Sequence, residues 1–306
     1  MSVVIATVDR PAGLARCLDA LLSGTALPGE IIVVDQGSDD ATATMIRNRQ
    51  RSPVPLLHIR QERLGLSCSR NLGVSRARHR LVAVTDDDCV PDSEWVAAID
   101  QAFGVESPPD ALTGRILPVG PPVEGTYVVS ARPSTQRTEF TGKVVPWDVG
   151  SGANFATTRQ CFITVGGCDE RLGVGSAGMA AEDIDLIYRL LDEGCRIRYE
   201  PDAIVYHERQ TKRQRIASRY SYGFGIGAFC ALRLRRGDRF LGRVLWSWLK
   251  SQAVALTVAA VRRQLFEMHQ RWLSLRGTLS GAIYGLRLGK APLLASQLQP
   301  DRSQRS

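Results

Sequence analysis

Residues 81–88 read Leu81-Val82-Ala83-Val84-Thr85-Asp86-Asp87-Asp88, an apolar run followed almost directly by three aspartates. The run predicts a strand, and because its residues are apolar at successive positions, both faces of that strand should be covered. Three similar runs come earlier in the chain: Val3-Val4-Ile5-Ala6, Ile31-Ile32-Val33-Val34-Asp35 and Leu56-Leu57-His58-Ile59. Strands covered on both faces are typical of a parallel sheet, so the sequence predicts an α/β fold.

Helical patterns separate these runs, as the crossovers of a parallel sheet require. Pro11 opens a pattern of apolar residues at spacings of three and four, Asp39 or Asp40 can cap a second helix, and a third helix is predicted over 66–79. The later elements are less regular: a strand over 111–117, a helix from Thr157 or Thr158 to Gly166-Gly167, a helix over 182–193 and an extended segment over 197–207.

Composition excludes several protein classes. With 306 residues, 44% of them apolar and 23% charged, the chain has neither a disordered nor a collagen-like composition. Its seven cysteines are scattered without a Cys-x-x-Cys pair, which indicates reduced thiols in a cytoplasmic protein rather than a disulfide framework or a zinc site. The first residues lack a basic segment followed by a long apolar run, so no secretion signal is predicted.

Charge divides the chain into two parts. Residues 1–206 hold 20 Lys and Arg against 27 Asp and Glu, a net charge of −7, whereas residues 207–306 hold 19 against 4, a net charge of +15. An acidic body with a basic tail indicates two separate roles, one of which involves an anionic surface.

Carboxylates follow three of the four predicted strands, at Asp9, at Asp35 and at 86–88. Asp9 or Asp35 alone can equally well end a strand or cap a helix. Three adjacent aspartates are different, because close like charges need a cation or a hydrogen-bond donor to offset them. Mg²⁺ and Mn²⁺ prefer carboxylates together with substrate phosphates, so an Asp-x-Asp at a strand end favours a metal-bridged diphosphate. No glycine-rich dinucleotide or P-loop motif follows any strand.

Three further features have both a structural and a functional interpretation. Glu182, Asp183 and Asp185 open a helix, where acids favour the helix dipole, but the glycine-rich segment 173–178 before them could bring Asp183 to a substrate as a general base. His207 is either a structural histidine or a ligand of a manganese-like ion. Arg70 either contacts phosphate or lies on a solvated helix face with Arg76 and Arg78.

Taken together and in this order, these residues resemble the bacterial type of family 2 inverting glycosyltransferases of the GT-A fold, over roughly residues 2–207. The segments that carry the resemblance are Ile5-Ala6-Thr7-x-x-Arg10, Val33-Val34-Asp35-x-Gly37-Ser38-x-Asp40, Arg70-Asn71-x-Gly73, Asp86-Asp87-Asp88, Gly166-Gly167-x-Asp169-Glu170 and Glu182-Asp183-x-Asp185-Leu186-x-x-Arg189. The implied fold is a mostly parallel central sheet flanked by helices, followed by a basic helical C-terminal region.

The resemblance also implies a division of the chain and a role for each matching residue. Residues 1–115 would bind the donor, 116–207 would bind the acceptor and carry the catalytic groups, and 208–306 would form the basic amphipathic helical region. The implied site comprises a nucleotide-sugar pocket (Thr7, Asp9, Asp35, Arg70, Asp86 and Asp87), metal ligands (Asp88, Asp86 and His207), a catalytic base (Asp183) with Glu182 beside it, and an acceptor segment (Gly152, Asn154, Asp169 and Glu170).

Two departures from the family pattern affect this assignment. Val8 stands where the family often has an aromatic residue that stacks on the base, which leaves the affinity for the nucleoside and its identity open. Three consecutive aspartates leave open whether Asp87 or Asp88 faces the metal.

The implied activity is a metal-dependent transfer, with Mn²⁺ or Mg²⁺, of a sugar from a nucleoside-diphosphate sugar of the UDP type to a hydroxyl acceptor. A lipid-linked saccharide or an envelope polysaccharide precursor is the expected acceptor. The alternative is a non-catalytic nucleotide-sugar-binding scaffold at the membrane, although such a scaffold has no need of both acidic clusters. A nucleotidyltransferase would show a glycine-rich basic loop after the first strand, and residues 7–14 do not.

The basic tail predicts contact with a membrane surface. A helix is predicted over 240–276, and the longest uncharged run in it, 251–261, has 11 residues against the ~20 that a bilayer requires. Peripheral attachment to the inner face of the plasma membrane by a basic amphipathic helix is therefore favoured over a transmembrane anchor. The alternative is that these helices pack on the body with a solvated basic face. No nucleic-acid-binding module is recognisable.

Overall fold

The structure, a computed structural model, describes residues 1–49 and 52–289. Its strands are β1 (Ser2–Thr7), β2 (Glu30–Asp35), β3 (Leu56–Arg60), β4 (Leu81–Asp86), β5 (Cys89–Pro91), β6 (Ala111–Pro118), β7 (Thr126–Tyr127), β8 (Thr138–Phe140), β9 (Asn154–Thr158), β10 (Ile197–His207) and β11 (Gln210–Thr211). Its helices are α1 (Pro11–Leu22), α2 (Ala41–Arg47), α3 (Leu66–Arg76), α4 (Trp95–Phe103), α5 (Pro146–Val149), α6 (Arg159–Thr164), α7 (Glu182–Asp192), α8 (Lys212–Arg235), α9 (Arg239–Val261) and α10 (Leu265–Arg287).

The main sheet has the strand order β3-β2-β1-β4-β9-β6-β10-β5, with β8 paired beside β10. The first four strands are parallel to one another, and β6 is parallel to β10. Strand β9 runs antiparallel to both β4 and β6 and so joins the two parallel groups. The predicted α/β architecture is confirmed, but β9 is a strand that the sequence analysis did not predict, because its sequence, Asn-Phe-Ala-Thr-Thr, lacks a strong apolar run.

The apolar runs are buried on both faces, as predicted. In β1, Val3, Val4 and Ile5 have no exposed surface; Val3 and Ile5 pack in a core with α1 and α4, whereas Val4 packs in a second core with α3 and α7. Each strand therefore contributes to two hydrophobic layers, which is what a run that is apolar at every position requires.

Several predicted boundaries shift in the structure. Helix α3 ends at Arg76 rather than at residue 79, and α6 begins after Thr158, whose Oγ1 accepts a hydrogen bond of 3.2 Å from the Cys161 N–H. The prediction of one helix over 240–276 is wrong. The chain reverses between α9 and α10, where Arg263 takes a left-handed conformation with φ of +52°, so that the two helices pack side by side.

The C-terminal region begins as part of the body. Strand β11 pairs with β7, and α8 packs on α7 through a core that contains Tyr188, Phe224 and Phe229. Helices α8 and α10 run parallel and in close contact. The glycine at position 281 permits this contact, since a Cβ there would collide with the carbonyl of Phe224. Helix α8, which precedes the helix predicted over 240–276, is therefore packed on the body. Of the predicted basic region, residues 290–306 lie outside the described part of the chain.

Helix α9 is long and apolar enough to cross a membrane by length and composition. The 11-residue uncharged run underestimated its apolar length, since Lys250 is the single charged residue between Val244 and Val261. Only 17% of its apolar window is buried within the protein. Its solvent-facing surface is therefore unusually apolar.

Candidate active site

The carboxyl ends of three neighbouring strands form one edge of the sheet. Thr7 at the end of β1 is the register partner of Asp35 at the end of β2, and Ala6 of β1 is the partner of Asp86 in β4. Polar groups that lie far apart in the chain therefore meet at this edge, where ligands bind in open α/β sheets.

Asp35 and Asp9 form the outer part of this edge. Asp35 has no exposed surface; its Oδ1 accepts from the Gly37 N–H at 2.8 Å, and its Oδ2 lies 3.0 Å from Nε2 of His58. Asp9 adopts a left-handed backbone conformation and its Oδ1 accepts from the Ser38 N–H at 2.6 Å. These bonds hold the loop after β2 against the loop after β1, which is the region predicted to receive a nucleoside.

The three consecutive aspartates have different nearest partners, although Nη1 of Arg10 lies within 3.3 Å of both Asp87 and Asp88. Asp86 pairs with Arg70, Asp87 accepts a hydrogen bond of 2.7 Å from Oγ1 of Thr7, and Asp88 lies 2.9 Å from Nη1 of Arg10. These donors offset the repulsion between the neighbouring charges. Burial raises the pKa of Asp87 to about 6. Asp87 is buried against Thr7, whereas the Asp88 side chain is 20% exposed.

Asp88, Cys89 and His207 form a possible metal centre, with ligand atoms that all lie within 4.8 Å of one another. Nε2 of His207 is 3.6 Å from Oδ1 of Asp88, and Nδ1 of the same ring lies 2.8 Å from the carbonyl oxygen of Glu208. Burial raises the pKa of the Cys89 thiol well above its usual range, so this residue remains a protonated thiol. The Asp88 carboxylate and the His207 imidazole are therefore the two groups of this cluster that could hold a divalent cation. Asp86 pairs with Arg70 instead of joining this cluster.

Arg70 connects the two acidic clusters. Its Nη2 lies 2.8 Å from Oδ1 of Asp86 and its Nη1 lies 3.0 Å from Oε1 of Glu182. The Arg70 side chain is only 5% exposed, so the alternative of a solvated helix face is wrong for it, although Arg76 and Arg78 are exposed. The cluster at the end of β4 and the cluster at the start of α7 therefore lie in one site.

Asp183 faces this site from the start of α7. Its Oδ2 accepts from the Gly152 N–H at 2.8 Å and from Oγ of Ser151 at 3.3 Å. The neighbouring Glu182 is buried, and burial together with the charge of Asp183 raises the pKa of Glu182 to about 7. The two adjacent carboxyl groups thus have different environments, one hydrogen-bonded at the surface of the cleft and one desolvated beneath it.

The remaining predicted acceptor residues are engaged within the protein. Asn154 has no exposed surface; its Nδ2 donates to the carbonyl of Ala203 at 2.8 Å, and its Oδ1 accepts from Nε1 of Trp95 at 2.9 Å. The predicted contact of Asn154 with an acceptor therefore does not fit the structure, in which this residue ties β9 to its neighbours. Asp169 pairs with Arg171 at 2.6 Å, and Glu170 accepts from Nδ2 of Asn71 at 3.2 Å.

Three residues in or beside the site were not predicted to have a role. Nη2 of Arg10 lies 2.9 Å from Oε2 of Glu208, so Glu208 and the aspartates share this guanidinium. Tyr222 of α8 is 38% exposed, yet desolvation by its surroundings and the negative charges of Asp183 and Asp88 raise the pKa of its phenol. Sequence signals existed for two of these residues: Arg10 is part of the motif around Thr7, and Glu208 directly follows the predicted ligand His207. No sequence signal marked Tyr222, because it comes from the helical tail.

Several known proteins are similar to this chain in sequence. Residues 2–143 match the profile of glycosyl transferase family 2. The chain is 29% identical over 264 residues to a pre-mycofactocin glycosyltransferase of Mycobacterium tuberculosis, covering 81% of this chain and 52% of that protein. It is 25% identical to a glucosyl-dolichyl phosphate glucuronosyltransferase of Haloferax volcanii, covering 68% of this chain and 69% of that protein. The chain thus spans about half the length of the mycobacterial relative.

A solved structure shows the same architecture. A mannosyltransferase from Pyrobaculum calidifontis, determined with GDP-Man and Mn²⁺, superposes with a TM-score of 0.62 at 16% identity and covers 94% of this chain and 86% of that chain. This similarity confirms the predicted GT-A fold, with its central sheet, flanking helices and helical C-terminal region.

Proposed function

We propose that this chain, whose residues 2–143 match glycosyl transferase family 2, is a member of that family and transfers a sugar from a nucleoside-diphosphate sugar to a hydroxyl acceptor. The observation that carries the proposal is the position of Arg70, whose guanidinium contacts both Asp86 at the end of β4 and Glu182 beside Asp183. One buried side chain thus holds the predicted donor site and the predicted base at the two sides of one cleft.

The donor site uses the carboxyl edge of the sheet. Asp9, in the loop after β1, would contact the nucleoside, and Thr7 with Asp87 would line the ribose side. Asp35 has no exposed surface and would instead position the loop after β2 through its hydrogen bond from the Gly37 N–H. A UDP-type nucleotide is the proposed donor. Val8 is 46% exposed at this position, where it offers the base an apolar surface but no aromatic ring.

Asp88 and His207 would hold a divalent cation, Mn²⁺ or Mg²⁺. The donor set supports this assignment, because Nδ1 of His207 is occupied by the carbonyl of Glu208 and Nε2 faces the Asp88 carboxylate. When bound, such an ion would balance the negative charge that develops on the departing nucleoside diphosphate. Arg10, which already contacts Asp88, lies where it can contribute further positive charge to the phosphates.

Asp183 acts as the general base in this proposal. Its carboxylate removes the proton of the acceptor hydroxyl while that oxygen forms a bond to the anomeric carbon on the face opposite the nucleotide. The bond from the anomeric carbon to the phosphate oxygen breaks in the same step, and its electron pair leaves with the diphosphate. A single displacement inverts the anomeric configuration and needs no covalent enzyme intermediate.

The acceptor is proposed to be a lipid-linked saccharide or an envelope polysaccharide precursor. The printed name of the Haloferax relative includes a dolichyl phosphate substrate, which supports a lipid carrier here as well. The basic C-terminal helices support a peripheral position on the inner face of the plasma membrane, where such a carrier is found. Gly152, Asp169 and Glu170 remain the proposed acceptor-side segment.

A non-catalytic nucleotide-sugar-binding scaffold is the second candidate. It is less well supported, because a scaffold requires neither the backbone hydrogen bond that orients Asp183 nor the buried Glu182 beneath it.

The proposal can be tested in two stages. A thermal-shift screen of nucleoside diphosphates and nucleotide sugars, with and without Mn²⁺, should show stabilisation that depends on the metal and on one base. Incubation of the stabilising donor with an acceptor should then release nucleoside diphosphate, and NMR of the product should show the inverted anomer. Donor binding without any transfer would leave the scaffold as the function.

A further inference from the structure

The turn between α9 and α10 has the most exposed apolar side chains on the C-terminal helices. Val261 is 80% exposed and Leu265 is 77% exposed, and Trp272, about two turns further along α10, is 55% exposed. Arg262 and Arg263 lie between the first two. We refer to residues 258–272 as the α9–α10 tip. Exposed apolar residues also lie elsewhere on α9 and α10, among them Trp246, which is 71% exposed, but the two most exposed ones lie together at this turn. A group of exposed apolar side chains indicates an interaction site.

The charges around the α9–α10 tip are almost all of one sign. From Arg239 to Arg287 the sequence has eight Lys and Arg against one acidic residue, Glu267. Nη2 of Arg271 lies 3.8 Å from that carboxylate, so the single negative charge is partly balanced. Apolar side chains surrounded by arginines complement a bilayer of anionic lipids, in which the apolar groups enter the lipid and the cations contact the headgroups.

The α9–α10 tip lies at the same end of the molecule as the cleft. The Phe266 ring lies 5.5 Å from the ring of Tyr127 in β7, and Nζ of Lys212 lies 4.8 Å above the Phe266 ring. Strand β7 pairs with β11, which begins three residues after His207. The tip is therefore tied to the segment that leaves the proposed metal site.

We propose that the α9–α10 tip inserts into the headgroup region of an anionic bilayer and thereby holds the mouth of the cleft at the membrane surface. The inference deepens the proposed function, because it names the part of the chain that contacts the membrane from which the acceptor is taken. The membrane contact itself does not depend on the proposed function; only its role in delivering an acceptor does. Helix α9 lies along the surface rather than across it, because Leu241, Val244 and Leu245 near its start are buried in the core shared with α7 and α8.

Sedimentation of the full chain with phospholipid vesicles tests the proposal. Vesicles of phosphatidylcholine with about 30% phosphatidylglycerol should bind the protein, whereas phosphatidylcholine alone should bind it weakly, and added salt should reduce binding because it screens the arginines. Leu265→Glu should weaken binding to the anionic vesicles at least about tenfold, because it replaces an inserted apolar group with a like charge to the lipid.

Leu286→Glu is the matched control. Leu286 is also an exposed leucine of α10, 50% exposed, but it lies about 30 Å from Leu265 along the helix. It should leave binding within about twofold. The double variant Arg262→Gln/Arg263→Gln should reduce the preference for anionic over neutral vesicles while keeping the fold, as judged by an unchanged melting temperature.

Four results would overturn the inference. The wild type could fail to bind anionic vesicles at low salt, or Leu265→Glu and Leu286→Glu could lose vesicle binding equally. The bound protein could resist extraction with alkaline carbonate, or light scattering could show concentration-dependent dimers that Leu265→Glu abolishes, without any vesicle binding. Failure of the proposed function has a different signature. Vesicle binding that follows the predicted pattern, with no nucleotide-sugar transfer by the wild type, would leave the membrane contact in place and remove the transferase assignment.

Discussion

The backbone N–H of Gly152 donates a hydrogen bond of 2.8 Å to Oδ2 of Asp183, which lies 31 residues later in the chain. This bond fixes the orientation of the carboxylate, as a general base requires. It joins the loop before β9 to the start of α7, so the antiparallel strand that interrupts the sheet also positions the proposed base.

Asp183→Asn should abolish most of the transfer while leaving donor binding intact. The amide has nearly the same shape as the carboxylate but cannot accept the acceptor proton, so kcat should fall about a thousandfold. Steady-state kinetics and a thermal-shift titration with the donor measure the two effects. As a control, Ser151→Ala removes the 3.3 Å hydrogen bond to Asp183 and a 3.4 Å bond from the Ala153 N–H, and it should lower kcat less than about tenfold. Near-normal turnover of Asp183→Asn would refute the assignment of the base.

Gly152→Ala should disturb both sides of the cleft. A Cβ at this position would lie 2.7 Å from Nη1 of Arg70 and 2.9 Å from Cβ of Asp183, so one of these groups must move. Activity should fall at least about tenfold, with a loss of about 1–3 kcal/mol in the free energy of unfolding. Gly289→Ala, where the added methyl meets open space, is the control and should be neutral. Full activity of Gly152→Ala would show that the contact does not position the base.

Asp88→Asn should remove the metal-dependent part of donor binding. The substitution replaces one anionic oxygen next to Nε2 of His207 with a neutral amide group, which lowers the affinity for a hard divalent cation. Calorimetric titration of UDP with and without Mn²⁺ should show that the metal strengthens binding to the wild type and not to the variant. The exposed Asp19, which pairs with Arg49 away from the site, offers Asp19→Asn as a control. An unchanged metal effect in Asp88→Asn would exclude it as a ligand.

The buried Glu182 should make stability depend on pH. Burial and the charge of Asp183 raise its pKa from 4.5 to about 7, so the folded protein binds this proton more tightly than the unfolded chain does. The resulting stabilisation is complete below pH 4.5 and is lost as the pH rises through about 7. Urea unfolding between pH 5 and 8 should show a decline, on the order of 1–3 kcal/mol, that is smaller in Glu182→Gln, where only the part caused by the raised pKa of Asp87 remains. Glu124→Gln, at an exposed position, should keep the wild-type decline; a variant Glu182→Gln with the wild-type slope would contradict the assignment.

Asp185 should be essential for the attachment of α8 to the body. It has no exposed surface and lies 2.8 Å from Nε of Arg189 and 3.1 Å from Nε of Arg233 in α8. Burial alone would raise the pKa of Asp185, but the two guanidinium groups lower it to about 2. Asp185→Asn leaves two nearly buried cations without their anion and should cost about 3–5 kcal/mol in the free energy of unfolding.

The exposed Asp192, which lies 3.6 Å from Nζ of Lys143, provides the comparison for this variant. Asp192→Asn should change the free energy of unfolding by less than about 1 kcal/mol, because an exposed ion pair contributes little. Chemical denaturation of both variants measures the difference. Equal effects would mean that the contact between α7 and α8 is not a stabilising one.

Local sequence was sufficient to predict the four parallel strands, the helices between them and the edge of the sheet at which their carboxylates gather. A run such as Val3-Val4-Ile5 shows that both faces of its strand are buried, because each residue must be apolar to pack in one of the two hydrophobic layers. The polar residue that follows such a run lies at the carboxyl end of its strand whatever the rest of the chain does. Asp35 and the aspartates 86–88 could therefore be placed at this edge in advance.

Contacts between distant segments account for the rest. Nothing near Arg70 in the chain shows that its guanidinium meets Asp86 and Glu182, since that meeting depends on how α3, β4 and α7 pack around it. Asn154 is of a residue type that often binds ligands, yet the pairing of β9 with β4 and β6 buries it, and its side chain forms its hydrogen bonds within the protein. Likewise, the reversal between α9 and α10 follows from the packing of those helices. Hydrophobic patterning specifies which face of an element is buried, whereas the partner across that face is chosen by the free energy of the whole packed assembly.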